Sequence, residues 1–358
     1  MLFIMLNSMN LNAEKTVSAR ERFNRAACCQ PVDRPPMWLM RQAGRALPEY
    51  RKLKETYTFV QLCQNPELAV EVTLQPVRRF GFDAAILFSD ILVIPEAMGQ
   101  TYHFKETGGV QMDFAVKSKA DIEKLSVEHV VERLSYVDKA LRILRKELGD
   151  QTALLGFTGS PWTLATFMME GASVPKYSRA LQLFREDKKT YCALAEKLTE
   201  AVTAYLQMQI ATGIDALQIF DSHGGHLAAA EFQEASGRWT DEIIANLGGK
   251  VPVINFSLGT HGNWPDLISS GANILGIDWQ TDLAEVRKII PAHIAMQGNL
   301  SPIHIAESTP EVVAAETKKI LETMRGRPGH IFNLGHGLTP GAKLENIQAL
   351  VDTVKNFK

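Results

Sequence analysis

Cysteine is scarce in this chain: four among 358 residues, Cys28, Cys29, Cys63 and Cys192, with no C-x-x-C pair and with the adjacent Cys28 and Cys29 poorly placed to bridge each other. That pattern speaks against a disulfide framework and for a reducing cytosolic compartment. An excess of charge is also missing. Thirty-eight basic residues face 40 acidic ones, for a formal net charge of −2, so there is no footprint for nucleic acid or a membrane surface, and an anionic ligand must meet a local cationic patch. No stretch approaches the roughly 18 to 20 apolar residues of a membrane span. The opening MLFIML lacks a basic segment before it and falls short of the roughly 7 to 15 residues of a signal core, so residues 1–16 are expected to be a poorly ordered extension. Linkers and low-complexity tracts are absent, which favours one domain over residues 17–358 rather than two of about 150 residues each. G-x-G-x-x-G, Walker and G-x-S-x-G sequences are absent as well, leaving dinucleotide, ATP and hydrolase readings without support.

What is present is a series of short apolar runs that end abruptly in polar or glycine-containing segments: 37–40, 84–88, 153–157, 216–220, 251–256, 273–277, 293–297 and 330–334. Each is too short for a helix and continuous enough for a strand buried on both faces. Between them lie segments of helical period such as 66–80, 282–290 and 310–326, with Pro66 and Pro310 at the first turn and Gly81 and Gly326 after the last. Eight such runs alternating with helices predict a single (β/α)8 TIM barrel, the runner-up being an open doubly wound sheet. The interval 90–152 is too long for a bare loop, and 121–148 reads as helix. In a barrel of this kind, functional groups sit just beyond the carboxyl ends of the strands, which is where the active-site cleft is expected.

Four segments at those ends carry chemistry. Arg41 and Arg45 flank Gly44 in RQAGR, two planar cations able to clamp carboxylates, unless Glu49 or Glu55 pairs with them. Asp90 in ILFSDILVIP is a carboxylate between apolar residues, where burial costs several kcal/mol unless donors meet it: a ligand's N–H groups, a metal, a neighbouring arginine or loop amides. FDSHGGH brings Asp221, His223 and His226 near each other, but two glycines between the histidines argue against a helical metal-binding face, and no cysteine follows Cys192. NLGHG places His336 after the last run, to cap a turn, to donate to a ligand carboxylate or to sit beside a phosphate held on backbone amides. Ser160 in GFTGSP has no evident base partner.

RPPMWLMRQAGRALPEYR, ILFSDILVIPEAMG, GFTGSPWTLATFMMEG, FDSHGGHL, GIDWQTDLAEVR, QGNLSP and IFNLGHGLTP, in this order over nearly the whole chain, resemble the uroporphyrinogen decarboxylases. The resemblance implies a single barrel, usually a homodimer, that removes CO2 from the four acetate side chains of uroporphyrinogen III to give coproporphyrinogen III, with no metal and no organic cofactor. It carries substrate contacts onto Arg41, Gln42, Ala43, Gly44, Arg45, Asp90, Phe167, Ser222 and His336. Asp90 is expected to hold the negative charge at the centre of the reaction and Arg41 to be the candidate proton donor. Phe167 departs from the family, which usually has tyrosine there, and Ser301 stands where aspartate is common. Two other readings remain: a tetrapyrrole-binding barrel without activity, suggested by Phe167, and a zinc-dependent corrinoid methyltransferase relative, disfavoured by the missing cysteine ligands.

Overall fold

The computed structural model describes residues 17–105, 108–260 and 262–358; the expected N-terminal extension lies outside them. Its strands are β1 (Ala84–Ile86), β2 (Tyr102–Phe104), β3 (Val110–Met112), β4 (Ala153–Gly159), β5 (Ala216–Asp221), β6 (Val253–Ser257), β7 (Ile274–Gly276), β8 (Ala295–Gln297) and β9 (His330–Ile331). Seven of them form one curled parallel sheet in the order β1-β4-β5-β6-β7-β8-β9. The sequence signals for this alternation are physically explicit. The helix Pro66–Phe80 starts where the Asn65 side chain accepts the Leu68 amide and stops at Gly81, whose φ of 65° is left-handed. β4 is buried at every position, as a strand covered on both faces must be.

The first apolar run, 37–40, does not become a strand. Met37 makes a single parallel bridge to Phe332, and three of the four amides of the run are taken by side chains. Asp83 accepts the Met37 N–H at 2.9 Å, Gln42 the Leu39 N–H at 2.9 Å, and Asn333 the Met40 N–H at 2.9 Å. The Trp38 amide alone joins the pairing, donating to Phe332 O at 3.3 Å while Phe332 N donates to Pro36 O at 2.8 Å, so the contact stays a bridge and does not lengthen into a ladder. What the structure shows is therefore a seven-stranded curled sheet with this segment laid along its open side.

The interval after β1 also differs from expectation. β2 and β3 pair as an antiparallel hairpin, and the helical stretch is divided into Lys119–Glu123, Val130–Arg133 and Ser135–Leu148. At the opposite end of the sheet from the cleft, Asp83 is 1% exposed and binds Arg22 at 2.8 Å and Arg34 at 2.7 Å, while Asp215 binds Arg20 and Arg145 at 2.7 Å each. These buried ion networks tie the segment before β1, and the segment before β5, to neighbouring elements.

Candidate functional site

Beyond β1 the chain leaves the sheet: the Phe88 amide donates to Thr73 Oγ1 at 2.8 Å, and Asp90 Oδ1 accepts the Leu92 amide at 2.8 Å. This turn sets the Asp90 carboxylate into the wall of a cleft of about 450 Å3. Burial pushes the carboxyl above its ordinary range, while the Leu92 N–H and the nearby Arg41 pull the other way. Among the described residues Asp90 has no ion pair within bonding distance, so acceptor capacity remains for a ligand.

Arg41, Ala43, Gly44 and Arg45 line the same cleft. Their loop is strained, with φ of 60° at Arg41 and 44° at Arg45, a conformation that costs a non-glycine residue about 1–3 kcal/mol and persists only when its surroundings enforce it. Gln42 does the enforcing. Its side chain is 2% exposed, accepts from Leu39 N and donates to Ala84 O at 3.0 Å. Gln42 is thus a pin for the loop and stands outside the cleft wall, unlike its neighbours. Gly337 is the other constraint: a Cβ there would lie 2.3 Å from Arg41 Cδ, so a residue without a side chain is needed for the arginine to pass.

Neither Arg41 nor Arg45 is ion-paired among the described residues. Glu49, which could have neutralised them, is held by Arg79 at 2.9 Å. The Arg41 side chain is open to water yet surrounded by protein, and desolvation together with the Arg45 charge lowers its pKa to about 10, with Asp90 opposing. His336, in the same wall, edges against Trp279 at 5.7 Å between ring centroids. Desolvation, then Arg41 and Arg45, bring its pKa down to about 4, so the ring is neutral near pH 7. Phe88, tilted against Tyr50 at 5.7 Å and edge-to-face with Phe59 at 5.4 Å, adds an apolar ring to the cleft lining.

His330, 4% exposed, is likewise lowered to about 4 by desolvation, although Gly298 O accepts from the ring at 3.1 Å. The unfolded ring, near 6.5, binds a proton that the native one refuses, so native stability is complete above about pH 6.5 and falls as pH drops toward 4. Chemical denaturation of the wild type and of His330→Gln is expected to show that the wild type loses about 2 kcal/mol more between pH 8 and pH 5. Parallel pH profiles would contradict this.

Ser222 lines the cleft and its hydroxyl has no partner among the described residues. Phe167 does not line it. Its half-buried ring lies 5.0 Å from the His223 ring and 6.1 Å from that of Tyr177, centroid to centroid. The FDSHGGH segment is committed internally: Asp221 accepts from Ser160, Thr163, Ser236 and Ser257, and both His223 ring nitrogens are hydrogen-bonded. Among the described residues no three His, Cys, Asp or Glu side chains are grouped to hold a metal ion. Ser160, without an evident role in the sequence, proves to be an Asp221 partner and the cap of helix Pro161–Glu170. Sequence reasoning gave Tyr177 no part, because its segment bears no motif.

A lone carboxylate amid apolar walls, two unpaired guanidinium groups and a neutral histidine, all at the carboxyl edge of a curled parallel sheet, define an α/β enzyme built for a polyanionic ligand that also offers N–H donors or positive charge. The sequence profile of the uroporphyrinogen decarboxylase family matches residues 18–357. The chain belongs to that family. It is 43% identical over 341 residues to the uroporphyrinogen decarboxylase of Methylococcus capsulatus, covering 94% of this chain and 97% of the relative. It is 44% identical over 346 residues to that of Alkalilimnicola ehrlichii, covering 95% and 94%. Among solved structures, a methyltransferase from Methanosarcina mazei superimposes with a TM-score of 0.80 at 20% identity, over 95% of this chain and 99% of that one, which shows a shared fold. No helix among the described residues is long and apolar enough to cross a membrane.

Proposed function

We propose that this cleft carries out the family's reaction, decarboxylation of the acetate arms of uroporphyrinogen to methyl groups in heme biosynthesis, with Asp90 at its centre. The observation that carries the assignment is the combination in one cavity of a half-buried, unpaired carboxylate with two unpaired guanidinium groups. Asp90 accepts the pyrrole N–H groups, and Arg41, Arg45 and His336 take carboxylates of the eight the substrate bears. Ser222 adds a neutral hydrogen bond, and the Phe88 ring packs on the macrocycle.

Loss of CO2 leaves an electron pair that needs a sink. Protonation of the pyrrole carbon bearing the arm makes the ring an iminium-like cation. The C–CO2 bonding pair then flows into the ring, forming an exocyclic methylene and releasing CO2. A proton added to the methylene and one lost from the ring carbon restore the aromatic pyrrole with a methyl group, one proton being consumed per acetate. The ionised Asp90 stabilises the cationic ring, a preorganised charge where charge develops. Arg41 is the proton donor in this reading, and its lowered pKa of about 10 makes it a better acid than an arginine in water. The Met37–Met40 segment closes the sheet as an eighth stave, supported by the Met37–Phe332 bridge and by Asp83 N donating to Met37 O at 2.9 Å. The homodimer implied by the resemblance belongs to the same proposal and is read by sedimentation.

Anaerobic incubation with uroporphyrinogen III is expected to yield products that lose carboxylates one at a time, ending at the four-carboxylate coproporphyrinogen. Arg45→Ala removes a charge-assisted bond worth about 1.5–3 kcal/mol, raising KM by about 10- to 100-fold with a smaller change in kcat. No product from the wild type, or an unchanged KM in the variant, would refute the respective assignment.

A further inference from the structure

Ser222 reaches the cleft between two residues that are both fixed from behind, and the hydrogen bonds behind it have a definite direction. Thr166 Oγ1 lies 2.7 Å from Thr163 O and 2.6 Å from His223 Nδ1. A hydroxyl has one proton and a carbonyl none, so Thr166 donates to Thr163 O and must accept from His223, which places the ring proton on Nδ1. A neutral imidazole then has a bare Nε2, and the only group against it among the described residues is the Tyr177 hydroxyl at 2.9 Å. Tyr177 therefore donates. Burial, which lowers the His223 pKa to about 3, agrees with the neutral ring this requires.

The ring is also clamped by packing. Tyr177 stacks on it with centroids 4.0 Å apart, and Phe167 covers another side at 5.0 Å. The main chain of the same residue is held by helix Pro161–Glu170: Trp162 Nε1 donates to His223 O at 3.1 Å, and His223 N donates to Thr163 Oγ1 at 3.3 Å. On the far side of Ser222, Asp221 takes four hydroxyl donors, one of them Ser236 at 2.9 Å from the π-helical turn Gln233–Gly237. Ser222 thus hangs between two anchors, its own hydroxyl free for substrate.

We propose that Tyr177 is a positioning residue for the reaction: its hydroxyl, donating to Nε2 of a His223 ring held as the Nδ1–H tautomer, fixes the segment that presents Ser222 to the substrate. The hydroxyl that the family resemblance expects at position 167 is thereby found on a different residue of the same aromatic cluster. This inference rests on the reading of Ser222 as a substrate contact.

Two measurements on the full-length protein test it. Nitrogen NMR of the ligand-free wild type is expected to show His223 protonated at Nδ1 and bare at Nε2; a proton on Nε2 overturns the proposal. In a double-mutant cycle, Tyr177→Phe, which keeps the ring and its packing, is expected to lower kcat/KM for uroporphyrinogen about five- to tenfold, the scale of one hydrogen bond. In a Ser222→Ala background the same substitution is expected to change kcat/KM less than about twofold, because the group it positions is gone. Equal losses in both backgrounds reveal a general structural role and overturn the proposal, as does an unaltered Tyr177→Phe. If Ser222→Ala itself has no effect, the substrate-contact reading is what fails, and the inference goes with it, while the NMR result still reports the tautomer.

Discussion

Asp90→Asn lowers kcat by about 10² to 10³, and raises the stability of the folded protein at neutral pH. The rate loss follows from removing a fixed charge aimed at a developing cation, for which deletions of comparable preorganised groups cost about 3–4 kcal/mol of barrier. The asparagine keeps the shape and one acceptor oxygen, so KM changes far less than kcat. The gain in stability follows from sign. Burial raises the Asp90 carboxyl above its unfolded value, so the folded state holds its proton more tightly than the unfolded chain. Ionising it at neutral pH costs folding free energy, and that cost is relieved as pH falls through the raised value. Asparagine carries no such cost. A functional site that opposes stability is the expected signature of a charge kept for catalysis. Single-turnover kinetics with thermal unfolding on the same preparation measure both effects. Wild-type turnover in the variant would end the catalytic assignment of Asp90.

Asp83→Ala is the substitution expected to damage the fold most, by about 3–5 kcal/mol, because it leaves the buried Arg34 guanidinium without a carboxylate and takes from Arg22 one of its two, Asp33 being the other. Arg22 and Arg34 side chains are 10% and 13% exposed and converge on a carboxylate that is 1% exposed. The same carboxylate accepts the Met37 amide, so its loss also unfastens the segment that leads, four residues on, to Arg41. Activity is therefore expected to fall with stability, although Asp83 lies at the end of the sheet away from the cleft. Urea unfolding near pH 7 measures the first effect and steady-state kinetics the second. A destabilisation below about 1 kcal/mol would show that the arginines find water or other partners.

The parts of the fold that could be read from the sequence are those governed by neighbours in the chain. Pro66 and Gly81 bracket a helix because proline lacks an amide the first turn does not use, and glycine tolerates the left-handed cap. The apolar runs from 84 to 334 each contain one of the seven paired strands, since only a strand covered on both faces makes every residue apolar. The run 37–40 has the same composition but shows only the Met37–Phe332 bridge, because Asp83, Gln42 and Asn333, up to 293 positions away, take three of its four amides. The hairpin Tyr102–Phe104 with Val110–Met112 was invisible for a different reason: three-residue strands contain too little period to detect.

The site divides along the same line. Asp90, Arg41, Arg45, Ser222 and His336 were candidates from their motifs and the barrel expectation, and they do line one cleft. Gln42 and Phe167 belong to the same motifs but do not line it, the one buried and pinning a loop, the other half-buried and packing on His223. The amino-acid sequence by itself determined the alternation of strand and helix, the chemical types available at the strand ends and, through its motifs, the family. Only the tertiary structure decided which of those side chains meet in the cleft, which are spent on holding the backbone, and which tautomer His223 carries. Chemical identity is a local property of the chain, whereas partnership depends on groups that folding brings together from distant positions and on the water that folding removes.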